Sequence, residues 1–314
     1  MDLKIISGDD PRTVNVIARR LGLEGDWADA STLSEDALPE AAERCTVFGR
    51  VTPERKRELV VALQSQGHHV AMTGDGVNDI PAFKAADCSI AMASGSEAAR
   101  KAAQLTLISS DFSVLPDVVL EGRRVINNIT RTASLFLIKT LYSFALTLLL
   151  IFLPATYPFQ PVQLTVISAF TVGIPGFFLS MEANSERIRG HFLRTILANA
   201  LPGAICVTFC ACFFMIMENF GWSVALGSTM STLAAGGVGL LALLYVSWPL
   251  NMYRASLLAA MTGCMIIAFA FFGHLIFLVR PTGMQLLYLM AMLLASALFM
   301  RACRGWMKKH RDLL

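Results

Sequence analysis

The sequence predicts two bodies in one chain: an α/β domain with a parallel sheet, then an all-α domain of six transmembrane helices. Of the 314 residues, 55% are hydrophobic and only 16% are charged, and the mean hydropathy is +0.57. Soluble domains carry about 25% charged residues, so an ordinary soluble enzyme is excluded. The charged residues are also distributed unevenly along the chain: residues 1–131 are net acidic and residues 132–314 are net basic.

The basic residues of the second part lie on or between apolar segments, which argues against a nucleic-acid-binding patch. The seven cysteines form no C-x-x-C pair and lie mostly inside apolar runs. They are therefore expected to be reduced and packed in the interior. Cys206 and Cys210 lie one helical turn apart, and binding of a soft metal by this pair is the alternative.

The first part is expected to form a parallel, doubly wound sheet, because strand-like runs alternate with helical runs. Strands are predicted at Leu3–Ile6, His69–Met72, Ser89–Met92 and Leu105–Ile108, and helices over 11–22 and 53–66. In such sheets the working site lies beyond the carboxyl ends of the strands. Both Ser7-Gly8-Asp9 and the run Thr73–Asp79 follow predicted strands, so both are candidate site segments.

The run Thr73–Asp79 has the residue types of a magnesium site. Asp75 and Asp79 are four residues apart across a glycine turn and can present two hard oxygen ligands to one divalent cation. Mg²⁺ prefers one or two carboxylates, with waters and phosphate oxygens completing its octahedron. Gly74 and Gly76 allow the backbone to approach a phosphate closely. The alternative is an ordinary polar turn after a strand.

The second part contains six apolar runs that are each long enough to cross a bilayer, which takes about 20 helical residues. The runs are Ala133–Leu153, Pro161–Met181, Thr195–Met217, Asn219–Tyr253, Ala255–Val279 and Pro281–Met300. None shows the polar face that a soluble helix needs. If residues 1–131 are cytosolic, the connections on that side carry nine Lys and Arg residues and the opposite connections carry one. The positive-inside rule then predicts that both termini are cytoplasmic.

Polar residues in the first two runs are candidates for a transport pathway. These candidates are Lys139, Ser143, Ser168, Thr171 and Pro175. A charge at mid-membrane costs about 2.5–3.5 kcal/mol, so Lys139 is either a built-in counter-ion or a side chain that snorkels to the headgroups. Pro175, between two glycines, is expected to break its helix and to free carbonyls for a cation, or else to form a packing kink. Glu182, just beyond this run, is expected to cap or gate the helix.

Four segments, in chain order, resemble motifs of the P-type ATPases, the pumps that pass through an aspartyl-phosphate. They are Ile6-Ser7-Gly8-Asp9, Arg50–Lys56, Thr73–Asp79, and Gly122-Arg123 followed by Asn127-Asn128. The first is similar to the T-G-D segment with Ser for Thr, and the second to the segment of the invariant lysine. The third resembles the hinge motif, and the fourth the linker into the membrane. The resemblance covers the whole chain and implies a partial haloacid-dehalogenase-like, Rossmann-like domain before six membrane helices.

The resemblance implies roles for individual residues. Asp75, with Asp79 and Asn78 beside it, would hold Mg²⁺, and Lys56 would stabilise the charge of the transferring phosphoryl group. Ser7, Gly8 and Asp9 would line the nucleotide and phosphate site, and Arg50 would help to bind ATP. Lys56, Asp9 and Asp75 are the expected catalytic residues, and Mg²⁺ and ATP are the expected cofactors.

The D-K-T-G-T string that carries the family's phosphorylated aspartate does not occur in the sequence. The ATP-binding insertion, the T-G-E segment and the first four spans are not found either. We therefore expect the carboxyl-terminal portion of a cation pump, truncated or split, that does not complete a transport cycle alone. The expected parts are a partial phosphorylation domain (1–112), a stalk helix (113–132), six spans (133–303) and a cytosolic tail (304–314).

The expected surroundings follow from the same interpretation. The chain is expected in the plasma membrane as a multi-pass protein, in contact with lipid, with ATP and with the missing amino-terminal half of the pump. The transported cation stays open among calcium, magnesium and a monovalent ion, and the absence of an acidic residue from the second span argues against an ordinary calcium site. The rival hypotheses are a non-catalytic remnant or regulatory subunit of a pump, and a membrane-tethered phosphatase with its nucleophile supplied elsewhere.

Overall fold

The computed structural model describes residues 2–153, 155–188 and 191–309. The chain divides into two compact units, Met1–Val118 and Val119–Leu314. Of the predicted tail 304–314, residues 310–314 lie outside the described residues, as does Arg189 of the charged connection after the second span.

The first unit alternates short strands with helices, as predicted. Its elements are β1 (Ile5–Ile6), α1 (Pro11–Arg20), β2 (Asp26–Asp29), α2 (Leu38–Arg44), β3 (Cys45–Gly49), α3 (Pro53–Ser65), β4 (Ala71–Gly74), α4 (Ile80–Ala85), β5 (Cys88–Met92), α5 (Glu97–Ala102) and β6 (Leu105–Leu107). The sequence analysis missed the strands β2 and β3 and the short helices α2, α4 and α5. It also placed β4 two residues too early. Val70 favours a strand by residue type, but the pairing of β4 with β5 begins only at Ala71.

The strands form two three-stranded parallel sheets, ordered β1-β3-β2 and β4-β5-β6, where the sequence analysis expected one. The registers pair Ile5 with Val47 in the first sheet and Ala71 with Cys88 in the second. Helix α3 packs on both, because Leu59 lies in the core cluster of β3 and Val60 in the cluster of β4 and β5. The predicted class, parallel strands with helices followed by apolar helices, is confirmed.

The start of α3 is fixed by its sequence. Thr52 has extended backbone angles and its side chain accepts a hydrogen bond from the Arg55 amide, while Pro53 occupies the first helical turn. Both features are typical of a helix N-terminus. This start places Lys56 in the first turn of a helix that the two cores hold in position.

The second unit consists of helices. They are α6 (Leu115–Phe152), α7 (Pro161–Ser168), a π-helical segment (Ala169–Gly173), α8 (Ile174–Ser180), α9 (Phe192–Glu218), α10 (Val224–Val246), α11 (Met252–Phe271) and α12 (Gly283–Lys309). With α7, the π-helical segment and α8 taken as one, six helices in the described ranges are long and apolar enough to cross a membrane. The predicted stalk and first span form a single helix, α6.

The core of the second unit lies around α9 and α10. Large side chains of α6 and α10, such as Leu135, Leu146 and Leu243, pack with small residues such as Ala200 and Ala235. Small residues allow membrane helices to approach closely. Many apolar side chains of α6, α11 and α12 remain exposed, which is the arrangement expected of helices that face lipid rather than water.

Candidate functional site

The polar cluster at the carboxyl end of β4 is organised around Asp79, which is only 5% exposed. Its Oδ1 lies 2.6 Å from Nζ of Lys56. Its Oδ2 accepts hydrogen bonds of 3.2 Å from the backbone amides of Asp75 and Gly76. A buried carboxylate needs such partners, so Asp79 holds both the lysine and the loop. Any side chain at Gly74 would collide with this carboxylate, which explains the glycine.

Asp75 presents the other carboxylate of the motif. Its side chain is exposed, and within the described part of the chain no hydrogen bond or ion pair ends on it. Its backbone oxygen accepts a hydrogen bond of 2.8 Å from the Ser96 amide, so the loop is anchored while the carboxylate stays available. Asn78, also exposed, lies between the two aspartates in the sequence.

The two carboxylates therefore differ in availability, whereas the sequence analysis treated them as equivalent ligands. Both oxygens of Asp79 are engaged, and Asp75 is free to coordinate. Among the described residues no group of three or more His, Cys, Asp or Glu side chains could hold a metal ion. One free carboxylate still fits Mg²⁺, because this ion commonly keeps waters and takes its remaining ligands from phosphate oxygens.

The Ser7–Asp9 loop follows β1 at the edge of the first sheet. The hydroxyl of Ser7 lies 3.2 Å from Oδ2 of Asp9 and accepts a hydrogen bond of 3.1 Å from the Asp9 amide. Gly8, between them, has open space where a side chain would lie. The loop is thus a small polar turn with a partly exposed hydroxyl and an exposed carboxylate.

Arg50 is engaged by two carboxylates of the first unit. Its Nη2 lies 2.7 Å from Asp10 and its Nη1 lies 3.0 Å from Asp29. Hydrogen bonds from Ser31 outweigh desolvation and, together with Arg50, hold the pKa of Asp29 below its ordinary value. Arg50 is half-exposed, so it can contact a nucleotide only with the guanidinium edge that these acids leave free.

The Ser7–Asp9 loop is connected through the backbone to the segment that begins α3. The Val51 amide donates to the Ser7 oxygen at 3.0 Å, and the Lys56 amide donates to the Thr52 oxygen at 2.9 Å. No side-chain hydrogen bond in the described ranges joins the Ser7–Asp9 loop to Lys56 or Asp75. Lys56 thus contacts the Thr73–Asp79 loop directly through its side chain. The Ser7–Asp9 loop is connected to the segment that carries Lys56 only through backbone hydrogen bonds.

Three of the transport candidates line one small cavity of about 20 Å³ in the second unit, together with Tyr142. They are Lys139 of α6, Ser168 of α7 and Thr171 of the π-helical segment. Both hydroxyls donate to carbonyls of their own helix, Ser168 to Leu164 and Thr171 to Ile167. The buried Tyr142 hydroxyl makes no hydrogen bond. A cavity of this volume accommodates about one water molecule.

The other two transport candidates lie outside this lining. The backbone oxygen of Ser143 accepts from the Thr147 hydroxyl, which is an ordinary bond along α6. Pro175 is buried and lies in the first turn of α8. The interruption that the sequence analysis expected there takes the form of the π-helical segment Ala169–Gly173, and such segments are frequent at functional sites.

A buried ion cluster around Glu182 is the main feature that the sequence analysis missed. Glu182 Oε2 lies 3.1 Å from Nη1 of Arg131, and both carboxylate oxygens lie within 2.9 Å of Nε of Arg254. Asn251 donates to Oε1 at 2.7 Å. The side chains of Arg131, Glu182 and Arg254 are 12%, 10% and 7% exposed. The cluster joins α6, the segment after α8 and α11.

The pKa of Glu182 reflects this environment. Burial acts to raise the pKa, but hydrogen bonds from Arg254 and Asn251 and the charges of Arg254 and Arg131 outweigh it, and the pKa lies below its ordinary value. Glu182 is therefore ionised when it is paired with Arg131 and Arg254. The available sequence signal was Arg254, the single charge of the short connection 248–254, and the position of Glu182 directly after the end of the second apolar run.

The comparisons with known proteins agree with the class that this fold and site define. The profile of the haloacid dehalogenase-like hydrolase family matches residues 2–87. The probable cation-transporting ATPase exp7 of Streptococcus pneumoniae is 40% identical over 83% of this chain and 35% of its own length. The calcium-transporting ATPase CtpE of Mycolicibacterium smegmatis is 41% identical over 91% of this chain and 38% of its own length. CtpE of Mycobacterium bovis is 48% identical over 64% of this chain and 27% of its own length.

These matches confirm the predicted resemblance to the carboxyl-terminal part of a cation-transporting P-type ATPase. The chain spans less than two-fifths of the length of these curated relatives. The six apolar helices in the described ranges and the relation to transporters indicate a multi-pass membrane protein.

Proposed function

We propose that this chain is the carboxyl-terminal portion of an ATP-driven cation pump, in which Mg²⁺-dependent ATP hydrolysis through an aspartyl-phosphate drives ion transport. The observation that carries the proposal is the paired Lys56 and Asp79 beside an unpaired Asp75 at the end of β4. That arrangement presents one fixed cation and one free carboxylate at the same strand end. The relation to cation-transporting ATPases, a family that uses ATP and Mg²⁺, supports it.

Lys56 is the residue that stabilises phosphoryl charge. Its ammonium group has three N–H donors, and the bond of 2.6 Å to Asp79 uses one of them. The remaining donors are available to phosphoryl oxygens, and Asp79 fixes their position before the substrate arrives. A fixed cation of this kind stabilises charge that develops in the transition state without reorganising at that moment.

Asp75 is the direct ligand of Mg²⁺ in this proposal, and Asp79 positions the loop. The ion, when bound, neutralises charge on the phosphoryl oxygens. The amides that Asp79 fixes keep the Asp75 backbone in place, so the carboxylate needs little ordering on binding. Ser7 and Asp9 contact the phosphate side of ATP, and Arg50 contacts the nucleotide while it remains bound to Asp29.

In the membrane, the cation would pass near the cavity of Lys139, Tyr142, Ser168 and Thr171. The oxygens of the two hydroxyl groups on α7 and the π-helical segment keep lone pairs, since each donates its proton to its own helix. Lys139 makes no ion pair among the described residues, so its charge is available to replace that of the cargo. We place the chain in the plasma membrane with both termini in the cytoplasm.

The test uses a complete pump in which this chain replaces the corresponding part of CtpE. The pump is expected to form a phosphoenzyme from labelled ATP and to hydrolyse ATP on addition of its cation. Asp75→Asn should abolish Mg²⁺-dependent labelling and leave thermal stability unchanged, because no hydrogen bond or ion pair from the described residues ends on this carboxylate. Asp36→Asn is the matched control, since Asp36 is also exposed, and it should label normally.

Two outcomes would contradict the proposal. Normal labelling of Asp75→Asn would remove the metal assignment. A pump that folds with this chain but never forms a phosphoenzyme would favour the non-catalytic remnant.

A further inference from the structure

A polar cavity in the second unit is not used by the proposed transport function. Its volume is about 290 Å³, and it lies between α6, α9, α10 and α12. Its lining includes Arg131, Asn199, Tyr245, Trp248 and Arg304, and also Glu186. Ligand pockets commonly begin at about this size.

The position of the cavity corresponds to the headgroup depth of a bilayer. Arg131 precedes the apolar run of α6, Asn199 lies in the second turn of α9, and Tyr245 lies at the last turn of α10. Arg304 lies near the end of α12. One end of four spanning helices therefore surrounds the cavity. Tyr and Trp are enriched at this depth, and the cavity contains one of each.

The cavity has hydrogen-bond donors that the protein leaves unused. Arg304 donates from Nη1 to the backbone carbonyl oxygen of Tyr245 at 3.0 Å, and its guanidinium lies 5.6 Å from the Tyr245 ring centre. Arg131 uses Nη1 for Glu182. Each guanidinium has five N–H donors, so several remain on both. The side chain of Asn199 is half-buried and makes no hydrogen bond within the described part of the chain.

The charges around the cavity do not balance. The lining carries Arg131, Arg304 and Glu186, and Arg131 belongs to the cluster that also contains Glu182 and Arg254. The lining and this cluster together hold three guanidinium groups and two carboxylates, which leaves one positive charge. A phosphodiester carries a single negative charge, and guanidinium groups bind phosphate oxygens in a bidentate manner.

We propose that this cavity binds the phosphodiester headgroup of an anionic phospholipid. The phosphate lies between Arg304 and Arg131, and Asn199 donates to one of its oxygens. Basic pockets between membrane helices bind anionic headgroups on the same principle. A zwitterionic lipid would leave the extra positive charge in place, so it binds less well. A free phosphate offers the same chemistry but no acyl chains, and the experiment distinguishes these two sources.

The experiment uses the full 314-residue chain purified in detergent, with lipid binding measured by native mass spectrometry and by thermal stability. The probes are phosphatidylglycerol, phosphatidylethanolamine and inorganic phosphate. Phosphatidylglycerol is expected to bind one per chain and to raise the melting temperature, and phosphatidylethanolamine should do so more weakly. Inorganic phosphate should neither stabilise the chain nor displace the lipid at equal concentration.

Two variants test the site itself. Arg304→Gln should weaken the apparent affinity for phosphatidylglycerol about tenfold, since it removes a charge-assisted hydrogen bond. Arg301→Gln is the matched control, because Arg301 is exposed on the same helix and does not line the cavity, and it should bind normally. Asn199→Leu should also weaken binding without lowering the melting temperature in detergent alone, since Asn199 has no hydrogen bond to lose.

The proposal is overturned if Arg301→Gln weakens binding as much as Arg304→Gln, because diffuse surface charge would then explain the effect. It is equally overturned if Asn199→Leu binds as tightly as the unaltered chain. If equimolar inorganic phosphate displaced the lipid, the ligand of the cavity would be a free anion and the lipid proposal would be wrong. None of these measurements depends on ATP hydrolysis, so failure of the proposed pump function would show separately.

Discussion

At the scale of single residues, charged side chains in this protein are placed by partners far away in the sequence. Lys56 and Asp79 are 23 residues apart, and the pairing requires the first turn of α3 to meet the end of β4. The motif types identified both residues as functional, but which of the two aspartates stays free depends on the loop amides. That distinction could not be predicted, since it depends on a backbone turn rather than on residue type.

Glu182 gives a prediction on pH. Its pKa is lower folded than unfolded, so its ionised form adds stability that is fully present above the ordinary carboxyl pKa and is lost as the pH falls through the folded value. Glu182→Gln should therefore cost about 3 kcal/mol near neutral pH, because it leaves Arg131 and Arg254 buried without their acid.

This cost should shrink in acid as the pH falls through the folded pKa, which lies below the ordinary value of 4.5, because the unaltered chain then loses the charge as well. The measurement is thermal unfolding in detergent from pH 7 down to pH 3. Glu186→Gln is the control, because Glu186 is exposed and forms no ion pair among the described residues. An equal cost for Glu182→Gln at both ends of the range would show that the cluster acts through shape rather than charge.

At the scale of elements, hydrophobicity predicted the membrane spans better than it predicted the short helices and strands of the first unit. The six spans are long, so a boundary error of a few residues does not change them. Strand β2 consists of Asp26-Trp27-Ala28-Asp29, and its polar ends are typical of a turn. It forms a strand because β3 lies beside it and supplies a hydrogen-bonding edge. Context of this kind overrides the weak local preference for strand.

The packing of α10 on the π-helical segment gives a prediction for glycine. A side-chain carbon added at Gly239 would lie 2.7 Å from Cγ2 of Thr171, which is too close unless a helix shifts. Gly239→Ala should therefore destabilise the second unit by about 1–3 kcal/mol and disturb the Thr171 cavity. The measurement is thermal unfolding in detergent.

Gly263→Ala in α11 is the control for that change. Nothing lies within 4 Å of the added carbon at Gly263, and alanine favours a helix over glycine by roughly 1 kcal/mol. This variant should be as stable as the unaltered chain or more stable. If both variants lost stability equally, the close contact of α10 with Thr171 would not be the cause.

At the scale of the whole molecule, the distribution of charge predicts its orientation. An even number of spans returns the carboxyl end to the side of residues 1–131, and the connections on that side carry nine Lys and Arg residues against one on the other. Loop charge of this kind sets orientation during insertion. A reporter that is active only in the cytoplasm should therefore work when it is fused after residue 309.

The same reporter, inserted within residues 155–160 between α6 and α7, should be inactive. A periplasmic reporter should give the opposite pattern at both positions, and expression level serves as the control for each fusion.

The difference in loop charge also predicts how the preference for this orientation can be weakened. Replacing the exposed Arg187, Arg194 and Arg301 with glutamine removes three of the nine basic residues counted for the connections and tail on the cytoplasmic side, so it should produce a mixed population of fusions. If the reporters placed the position after residue 309 and the position within 155–160 on the same side, the count of six spans would be wrong, because five spans separate them. Opposite sides with the pattern reversed would instead contradict the orientation.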